Sequence, residues 1–203
     1  MRTIYKITDE NLITKMLKRA IFGVLALADE QAKPYAIPLN FVRIDNSFYF
    51  HGSKKGRKIE AIQANKQASL SIVESYVVVP SYFASDSELA CPATHLNKSI
   101  IVDGTLSFVE EHKEKARVLA ALMKKLQPEG GYKPLSDAVY KKAIQATTIF
   151  KLTPVEMSAK FKFGQQVNQE VFEKIIYNLE KRGTDLDIET VQLMKSMRFA
   201  KLD

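Results

Sequence analysis

The segment of the chain with the most chemically capable side chains is FHGSKKGRKIEAI, at residues 50–62. Its pattern predicts a strand that leads into a helix, because Ile59 and Ile62 recur at helical spacing after a strand-like start. Gly52 and Gly56 lie between the two elements, where a tight turn needs residues of high conformational freedom. The sequence therefore predicts a strand-to-helix turn that is rich in cations.

Arg57 and Lys58 fall in the first turn of this predicted helix, and Ser53 supplies a hydroxyl just before it. A helix N-terminus presents free amides that attract anions. Arginine can grip a phosphate with two hydrogen bonds while lysine acts as a point charge, so the pair suits a terminal monophosphate or a diphosphate. The alternative is a solvated basic turn, in which Lys54 and Lys55 join the pair to keep an exposed loop soluble.

Other nucleotide-binding and catalytic motifs are absent from the sequence. The turn lacks the GxxxxGK[ST] spacing of a Walker loop, and no GxGxxG follows the first predicted strand. Cys91 and His95 lie four residues apart, but neither His51 nor any other residue completes a zinc-site spacing, so we expect an ordinary buried thiol at Cys91. No set of serine, histidine and aspartate shows a nucleophile motif, which leaves hydrolase chemistry unsupported.

The composition is that of a globular protein with one main domain. The 203 residues are 46% hydrophobic and 26% charged, a balance that excludes a disordered or fibrous chain. Apolar runs such as residues 20–28 are too short to cross a bilayer and lack the flanks of a signal peptide, so we predict a cytoplasmic protein with no membrane partner. The single cysteine excludes an intramolecular disulfide.

The net charge of +7 attracts anions in general, which include nucleic acids, acidic membranes and phosphorylated small molecules. The lysines are spread over most of the chain, and no basic stripe is interleaved with stacking aromatics. This distribution argues against a nucleic-acid partner.

Hydrophobic periodicity predicts about six strands with helices between them. Pro38 lacks an amide donor, so its strand is expected to have an edge or a bulge there. Residues 80–92 are predicted as a polar loop. The predicted strands are 22–27, 35–42, 48–51, 69–79, 95–106 and 147–155, and the predicted helices follow Thr8 and cover 57–65 and 110–127, with a short helix before the last strand.

The C-terminal part reads as helical. Asn168 can cap a helix that carries Phe172 and Leu179 on its apolar face, and Asp185 can begin a second helix through Met197. We therefore divide the chain into a main domain, residues 1–158, and a C-terminal helical extension, residues 159–203.

Three segments resemble the FMN-binding split barrel of the pyridoxamine 5'-phosphate oxidase-like superfamily, and in particular its nitroimidazole-reductase-like branch. The first joins the meander YAIPLNFV, residues 35–42, to the turn at 50–58. The second is Asn97-Lys98-Ser99-Ile100 followed by Asp103-Gly104, and the third is AKFKFGQQVNQEVFEKIIYNLEKRG, residues 159–183. The resemblance implies an α+β fold, an antiparallel split β-barrel with flanking helices.

The resemblance also implies a flavin site. Arg57 and Lys58 would bind the flavin phosphate with help from Ser53, and the backbone of two strands would line the ring. These strand residues are Ile37, Pro38, Leu39 and Asn40, and Phe50, His51 and Gly52. Lys98 and Ser99 are further implied contacts, and Lys160 and Lys162 are either surface charges or neighbours of the ribityl chain.

His51 is the candidate catalytic residue. A histidine beside the flavin ring, with an ordinary pKa of about 6.5, can donate a proton or steady a negatively charged flavin. The alternative is a structural, hydrogen-bonding histidine. Residues of a second copy of the chain would complete the ring slot, so the resemblance implies a homodimer.

The function implied is a flavin-dependent oxidoreductase, with FMN or FAD as cofactor, that takes electrons from a nicotinamide or another donor and reduces a small molecule. The alternative is a flavin-binding sensor, carrier or regulator without turnover. A nucleic-acid-binding protein is a third class, supported by charge alone. The sequence leaves the substrate, the electron donor and the choice between FMN and FAD open.

Overall fold

The structure of the chain, a computed structural model, describes residues 2–199. Within that range the chain forms two compact units. The larger unit comprises Asp9–Ile72 and Ile100–Ser158, and the smaller unit comprises the described residues of Met1–Thr8, Val73–Ser99 and Ala159–Asp203. The division of the chain at residue 158 stays a prediction.

Eight strands form one sheet. In chain order they are β1 Lys6–Ile7, β2 Phe22–Ala28, β3 Pro34–Asn40, β4 Val42–Ile44, β5 Ser47–Gly52, β6 Gln67–Val79, β7 Thr94–Val109 and β8 Thr148–Lys162. They neighbour one another in the order β3-β2-β6-β7-β8-β5-β4, and β1 pairs with β8. The strand pairs β1/β8, β2/β3, β2/β6, β4/β5 and β5/β8 are all antiparallel, as predicted.

Seven α-helices and two short 3-10 helices, Thr3–Tyr5 and Ala138–Tyr140, complete the elements of the described residues. The α-helices are α1 Glu10–Arg19, α2 Arg57–Ala64, α3 Ser81–Ala84, α4 His112–Leu126, α5 Lys141–Ala146, α6 Gln169–Arg182 and α7 Asp185–Phe199. The side chains of Asp9, Glu111 and Asn168 accept hydrogen bonds from backbone N–H groups at the starts of α1, α4 and α6. Between residues 2 and 199 the structure contains no helix with the length and apolar character that a bilayer span requires.

In the larger unit the sheet curls back on itself. β3 stands at one end of the hydrogen-bonded order and β5 stands near the other end, yet the two strands contact each other. β2 and β3 form the predicted hairpin, with Phe22 opposite Asn40 and Ala28 opposite Pro34. The curl therefore brings together the two strands that carry most of the predicted flavin site.

The core beneath β5 is aromatic and tightly packed. Phe50 and Phe150 lie opposite each other in β5 and β8, and their rings stack with centroids 5.2 Å apart. Both side chains are fully buried. On the same strand Tyr49 packs in a buried cluster with Val118 and Leu122 of α4. Burial of these large side chains fixes the strand that precedes the basic turn.

The smaller unit is organised around α6 and α7, which pack against each other, while α3 packs on α6. Arg182 at the end of α6 forms a two-pronged ion pair with Asp187 of α7, whose carboxylate is fully buried and also accepts from Thr184. This pair closes the turn between the two predicted C-terminal helices. Both helices are confirmed.

The predicted strand over residues 35–42 is wrong at its end. β3 stops at Asn40, and β4 begins at Val42. Because β3 pairs with β2 whereas β4 pairs with β5, the chain has to change partner at Phe41, whose side chain is fully buried. This break and the two-residue β1 bring the number of strands to eight.

Two further boundaries differ from the prediction. β8 continues to Lys162 instead of ending at Val155, because its pairing with β1 extends it through Lys160, where hydrophobic alternation is weak. Residues 80–92, predicted as a loop, contain α3, and Phe83 of this helix is buried. Four residues are too few to carry a recognisable helical period.

Candidate functional site

The turn between β5 and α2 has the form that the sequence predicts. β5 ends at Gly52, and α2 begins at Arg57. Gly56 precedes the helix with φ of 108°, a backbone conformation that favours glycine. No side chain caps α2, so its first amides have no side-chain acceptor among the described residues. The start of α2 therefore offers free backbone amides to an anion.

Lys58 is the central cation of the turn. Its side chain folds back over β5, so that Nζ lies 5.3 Å from the centre of the Phe150 ring. A Cβ built on Gly52 would lie 2.2 Å from Nζ, so only glycine leaves this space free. Among the described residues Lys58 forms no salt bridge and no hydrogen bond, and burial lowers its pKa below 10.5. A half-buried ammonium without a counter-charge is a site for an anion.

Arg57 points to a different part of the larger unit. Its guanidinium stacks over the Tyr35 ring at 4.3 Å and lies 3.9 Å from the carboxylate of Asp29. Asp29 is itself held in place, because it accepts from the backbone N–H groups of Gln31 and Lys33 in the β2–β3 turn. The side chain of Arg57 remains 49% exposed, so it keeps N–H groups for a ligand.

Asp29 and Tyr35 are contacts of Arg57 that the sequence pattern does not predict. Both belong to the β2–β3 hairpin, and nothing in their local pattern links them to a helix that starts at residue 57. Pro38, three residues after Tyr35, marks an edge strand but does not point to Arg57. Asp29 and Tyr35 orient the guanidinium of Arg57, the first residue of α2.

Ser53 is exposed in the turn, and its hydroxyl donates to the backbone oxygen of Lys55 at 2.7 Å. This bond closes the turn locally. Because a hydroxyl has a single proton, Ser53 can donate to a phosphate only by giving up that bond. Lys54 and Lys55 are exposed on the same turn.

His51 is exposed at the end of β5, opposite Ile149 of β8. Partial burial lowers its pKa below 6.5, and the nearby charge of Lys58 lowers it further. The imidazole is therefore neutral at pH 7, with one nitrogen able to donate a hydrogen bond and the other able to accept one.

The other predicted ring contacts lie where strand geometry offers backbone groups. β3 stands at the end of the sheet order, so its second edge has no strand partner among the described residues, as Pro38 predicts. Ile37 and Leu39 are half-buried, and Asn40 donates its side-chain amide to the backbone oxygen of Ile21 at 3.2 Å. Phe50 is sealed in the core, so it has only backbone to offer.

Lys98 and Ser99 belong to the smaller unit, whereas all the other predicted contacts belong to the larger unit. The Lys98 side chain is buried. Its Nζ donates to the Tyr76 hydroxyl at 2.6 Å and lies 3.4 Å from the carboxylate of Glu74. Tyr76, Phe161 and Phe163 place their rings within 6 Å of the same ammonium. Lys98 is thus neutralised inside its own unit.

Lys160 and Lys162 also lie in the smaller unit. Lys160 Nζ sits 5.6 Å from the centre of the Tyr5 ring. Lys162 donates to the Thr94 hydroxyl, and partial burial followed by the charge of Lys160 lowers its pKa.

Cys91 is exposed, so the expectation of a buried thiol is wrong. The residue lies in a turn just before β7, away from the alternating pattern that buries side chains of the strand. Among residues 2–199 no three histidine, cysteine or acidic side chains come together as a metal site would need. His95 instead shares a hydrogen bond of 2.9 Å with Ser75.

Known structures share this fold. A flavocytochrome from Azotobacter vinelandii is 20% identical, and the alignment covers 83% of this chain and 75% of the flavocytochrome, with a TM-score of 0.66. An FAD and heme binding protein from Mycobacterium smegmatis is 21% identical, with coverages of 85% and 80% and a TM-score of 0.66. A candidate 5-nitroimidazole antibiotic resistance protein from Bacteroides thetaiotaomicron is 20% identical, with coverages of 76% and 85% and a TM-score of 0.62. These likenesses confirm the predicted split-barrel fold.

No curated protein sequence matches the chain. The family assignment comes instead from residues 9–161, which match the pyridoxamine 5'-phosphate oxidase family over three quarters of the chain. The matched range contains the β2–β3 hairpin, the turn at Arg57 and Lys58, and Lys98. This chain belongs to the pyridoxamine 5'-phosphate oxidase family, as its sequence motifs predict.

Proposed function

We propose that this chain binds a flavin nucleotide, FMN or FAD, with its phosphate at the start of α2. The observation that carries the proposal is the ammonium of Lys58, which is half-buried and has no anionic partner among the described residues. A phosphate would supply the missing counter-charge and accept hydrogen bonds from the free first amides of the helix. Family membership supports a flavin as the bearer of that phosphate.

Arg57 and Lys58 have different tasks at the phosphate. Tyr35 and Asp29 orient the guanidinium of Arg57, which can form two parallel hydrogen bonds to phosphate oxygens. Lys58 acts as a point charge from the strand side, over Gly52. Together they offer two cations of different geometry to one anion.

The ring would lie along β3 and the end of β5. The free edge of β3 offers backbone N–H and C=O groups at Ile37, Leu39 and Asn40 for the pyrimidine part of the ring. His51 would act there as a neutral hydrogen-bonding group, because its lowered pKa disfavours an imidazolium at pH 7. A bound flavin supplies electron and hydride transfer, and the protein holds and orients it.

We also propose a homodimer. Phe22 and Val24 of β2 point outward at 59% and 36% exposure, and their neighbours on β3, Ala36 and Pro38, share the same face. This apolar sheet face needs cover, and a second copy of the chain is the occupant that family resemblance implies. The predicted cytoplasmic location remains a prediction of the sequence.

Of the two functions that use a flavin, we propose turnover as an oxidoreductase of a small molecule. A nitroimidazole resistance protein and a flavocytochrome among the structures of the same fold make redox chemistry the natural use of the site. The alternative, a sensor, carrier or regulator, needs the same binding residues but no substrate space beside the ring.

Three measurements test these proposals separately. Purified protein should show flavin absorbance, or should bind added FMN or FAD, and a protein that refuses both has no flavin site. Anaerobic mixing with reduced nicotinamide and a nitroaromatic acceptor should give turnover above the rate of free flavin. Tight flavin binding without turnover would establish the non-catalytic alternative. Light scattering of Phe22→Lys against wild type should show a dimer converted to a monomer.

A further inference from the structure

A second cationic site lies in the larger unit, and it shares no residue with the proposed flavin site. It is a cavity of about 620 Å³ between α1, α4 and the turn after β4. Both helices pack on β4, so the walls are fixed by the fold. The volume falls within the range of small-molecule sites in proteins.

The charge of this cavity is strongly unbalanced. Four cations line it, Lys18 of α1, Arg43 of β4, and Lys124 and Lys125 of α4, against the single carboxylate of Asp45. Asp45 is exposed and also lies 3.9 Å from Arg117, outside the lining. Lys18 and Lys124 form no salt bridge with any residue in the described range. Arg43 also lies 3.8 Å from the carboxylate of Glu10, and even with this acid the cations outnumber the carboxylates, so the cavity keeps a positive potential.

Lys125 differs from the two free lysines because it is anchored. Its Nζ donates to the backbone oxygens of Leu17 at 3.1 Å and Phe41 at 3.0 Å, and it lies 3.8 Å from the centre of the Phe41 ring. Burial nevertheless lowers its pKa to about 8, which means that these partners do not fully offset the lost hydration. A negative charge in the cavity would offset the rest.

The remainder of the lining is apolar. Leu17, Val42 and Ala121 form the floor, and the aliphatic stems of the lysines add to it. Inorganic anions would leave this floor in contact with water. An organic anion with an aromatic or alkyl body would cover the floor and place its charge among Lys18, Lys124 and Lys125.

We propose that the cavity between α1, β4 and α4 binds an amphipathic organic anion, a carboxylate or sulfonate on an apolar body. The site is independent of the flavin, and either proposal can fail without the other.

The test uses 8-anilinonaphthalene-1-sulfonate, a fluorescent aromatic sulfonate, with the full chain. We expect one saturable site, and the double variant Lys18→Glu with Lys124→Glu should weaken binding by about tenfold or more. The control is Lys15→Glu with Lys66→Glu, which makes the same change of net charge on exposed lysines outside the cavity. Binding in the control should stay within about twofold of wild type.

Ala121→Trp provides a second, uncharged test, because the larger side chain fills the floor while the four cations remain. It should abolish the fluorescence change and leave thermal unfolding and flavin binding as in wild type. Equal loss in the cavity variant and its control, or undiminished binding in a folded Ala121→Trp, would overturn the proposal.

Discussion

Lys58 and Lys98 were both predicted to contact a flavin, and the structure gives them opposite surroundings. Lys98 is enclosed by Glu74, Tyr76 and two phenylalanine rings in the smaller unit. Lys58 lies over Gly52 and Phe150 in the larger unit, with no hydrogen bond or ion pair inside the described range. One cation is used by the fold, and the other is available to a ligand.

The difference shows how to separate structural cations from ligand-binding ones. Burial removes hydration from an ammonium, and an ion pair with a carboxylate or a hydrogen bond to a hydroxyl normally offsets the lost hydration free energy. Lys98 has such partners in Glu74 and Tyr76. Lys58 has none among the described residues, and burial lowers its pKa. A motif shows which residue types are present, but only the tertiary environment shows which charge lacks an oppositely charged partner.

The double variant Arg57→Glu with Lys58→Glu should have the largest effect, and it should fall on flavin affinity. Two charge-assisted hydrogen bonds to phosphate are lost and the new carboxylates repel it, so flavin affinity should fall by about a thousandfold, or ~4 kcal/mol. Unfolding in urea should change little, because Arg57 is half exposed and its pair with Asp29 is long. Flavin fluorescence titration measures the affinity.

The matched control for that variant is Lys54→Glu with Lys55→Glu, which reverses two exposed charges in the same turn. Its affinity should stay within about threefold of wild type, since exposed charges are screened by salt. If the control loses as much affinity as the test variant, the turn is a general basic loop and the proposed phosphate site is wrong.

Lys98→Met should have the next largest effect, and it should fall on stability. Removal of the ammonium leaves the largely buried carboxylate of Glu74 without that cation, which costs about 3 kcal/mol of unfolding free energy. Denaturant unfolding of the flavin-free protein measures it, and Lys98→Arg should restore part of the loss. A stable Lys98→Met protein with weakened flavin binding would instead make Lys98 the ligand contact that family resemblance implies.

Gly52→Ala should produce a smaller and more local change. The added methyl group meets the Lys58 ammonium at 2.2 Å, so the flexible lysine has to move away from the strand. Flavin affinity should fall by about tenfold while stability stays near wild type. In a Lys58→Met background the same substitution should have no further effect, and an additive loss in that double variant would show that Gly52 acts on the flavin directly.

The smallest effect is a pH dependence. Burial lowers the pKa of Lys58 below 10.5, and a phosphate binds only its charged form well. Flavin affinity should therefore be constant near neutral pH and should decline at alkaline pH, earlier than an ordinary lysine would allow. Lys58→Arg should remove the alkaline decline, because guanidinium stays charged there. Titrations of both proteins across that range check the prediction, and identical profiles would refute it.

The local elements could be predicted because their signals lie within a few residues. Asp9 and Asn168 start helices by accepting nearby amides, and Ile59 and Ile62 mark α2 by their spacing. Pro38 announces an edge strand because it lacks a donor. The phosphate-like turn at Arg57 and Lys58 was predictable for the same reason.

The contacts across strands and hairpins could not be predicted in this way. Tyr35 and Asp29 reach Arg57 because α2 packs on β2, the strand that forms a hairpin with β3. Glu74 and Lys98 meet because β6 and β7 are neighbours in the sheet. Local periodicity describes which face a side chain occupies and carries no information about its partner across the fold.

From the sequence alone come the family, the alternation of strands and helices, and a cluster of cations at a glycine-rich turn. Tertiary structure decided which of those cations are neutralised and which remain open to an anion. The physical reason is that hydration and pairing of a charge depend on neighbours brought from distant parts of the chain, and helix and strand propensities do not depend on them.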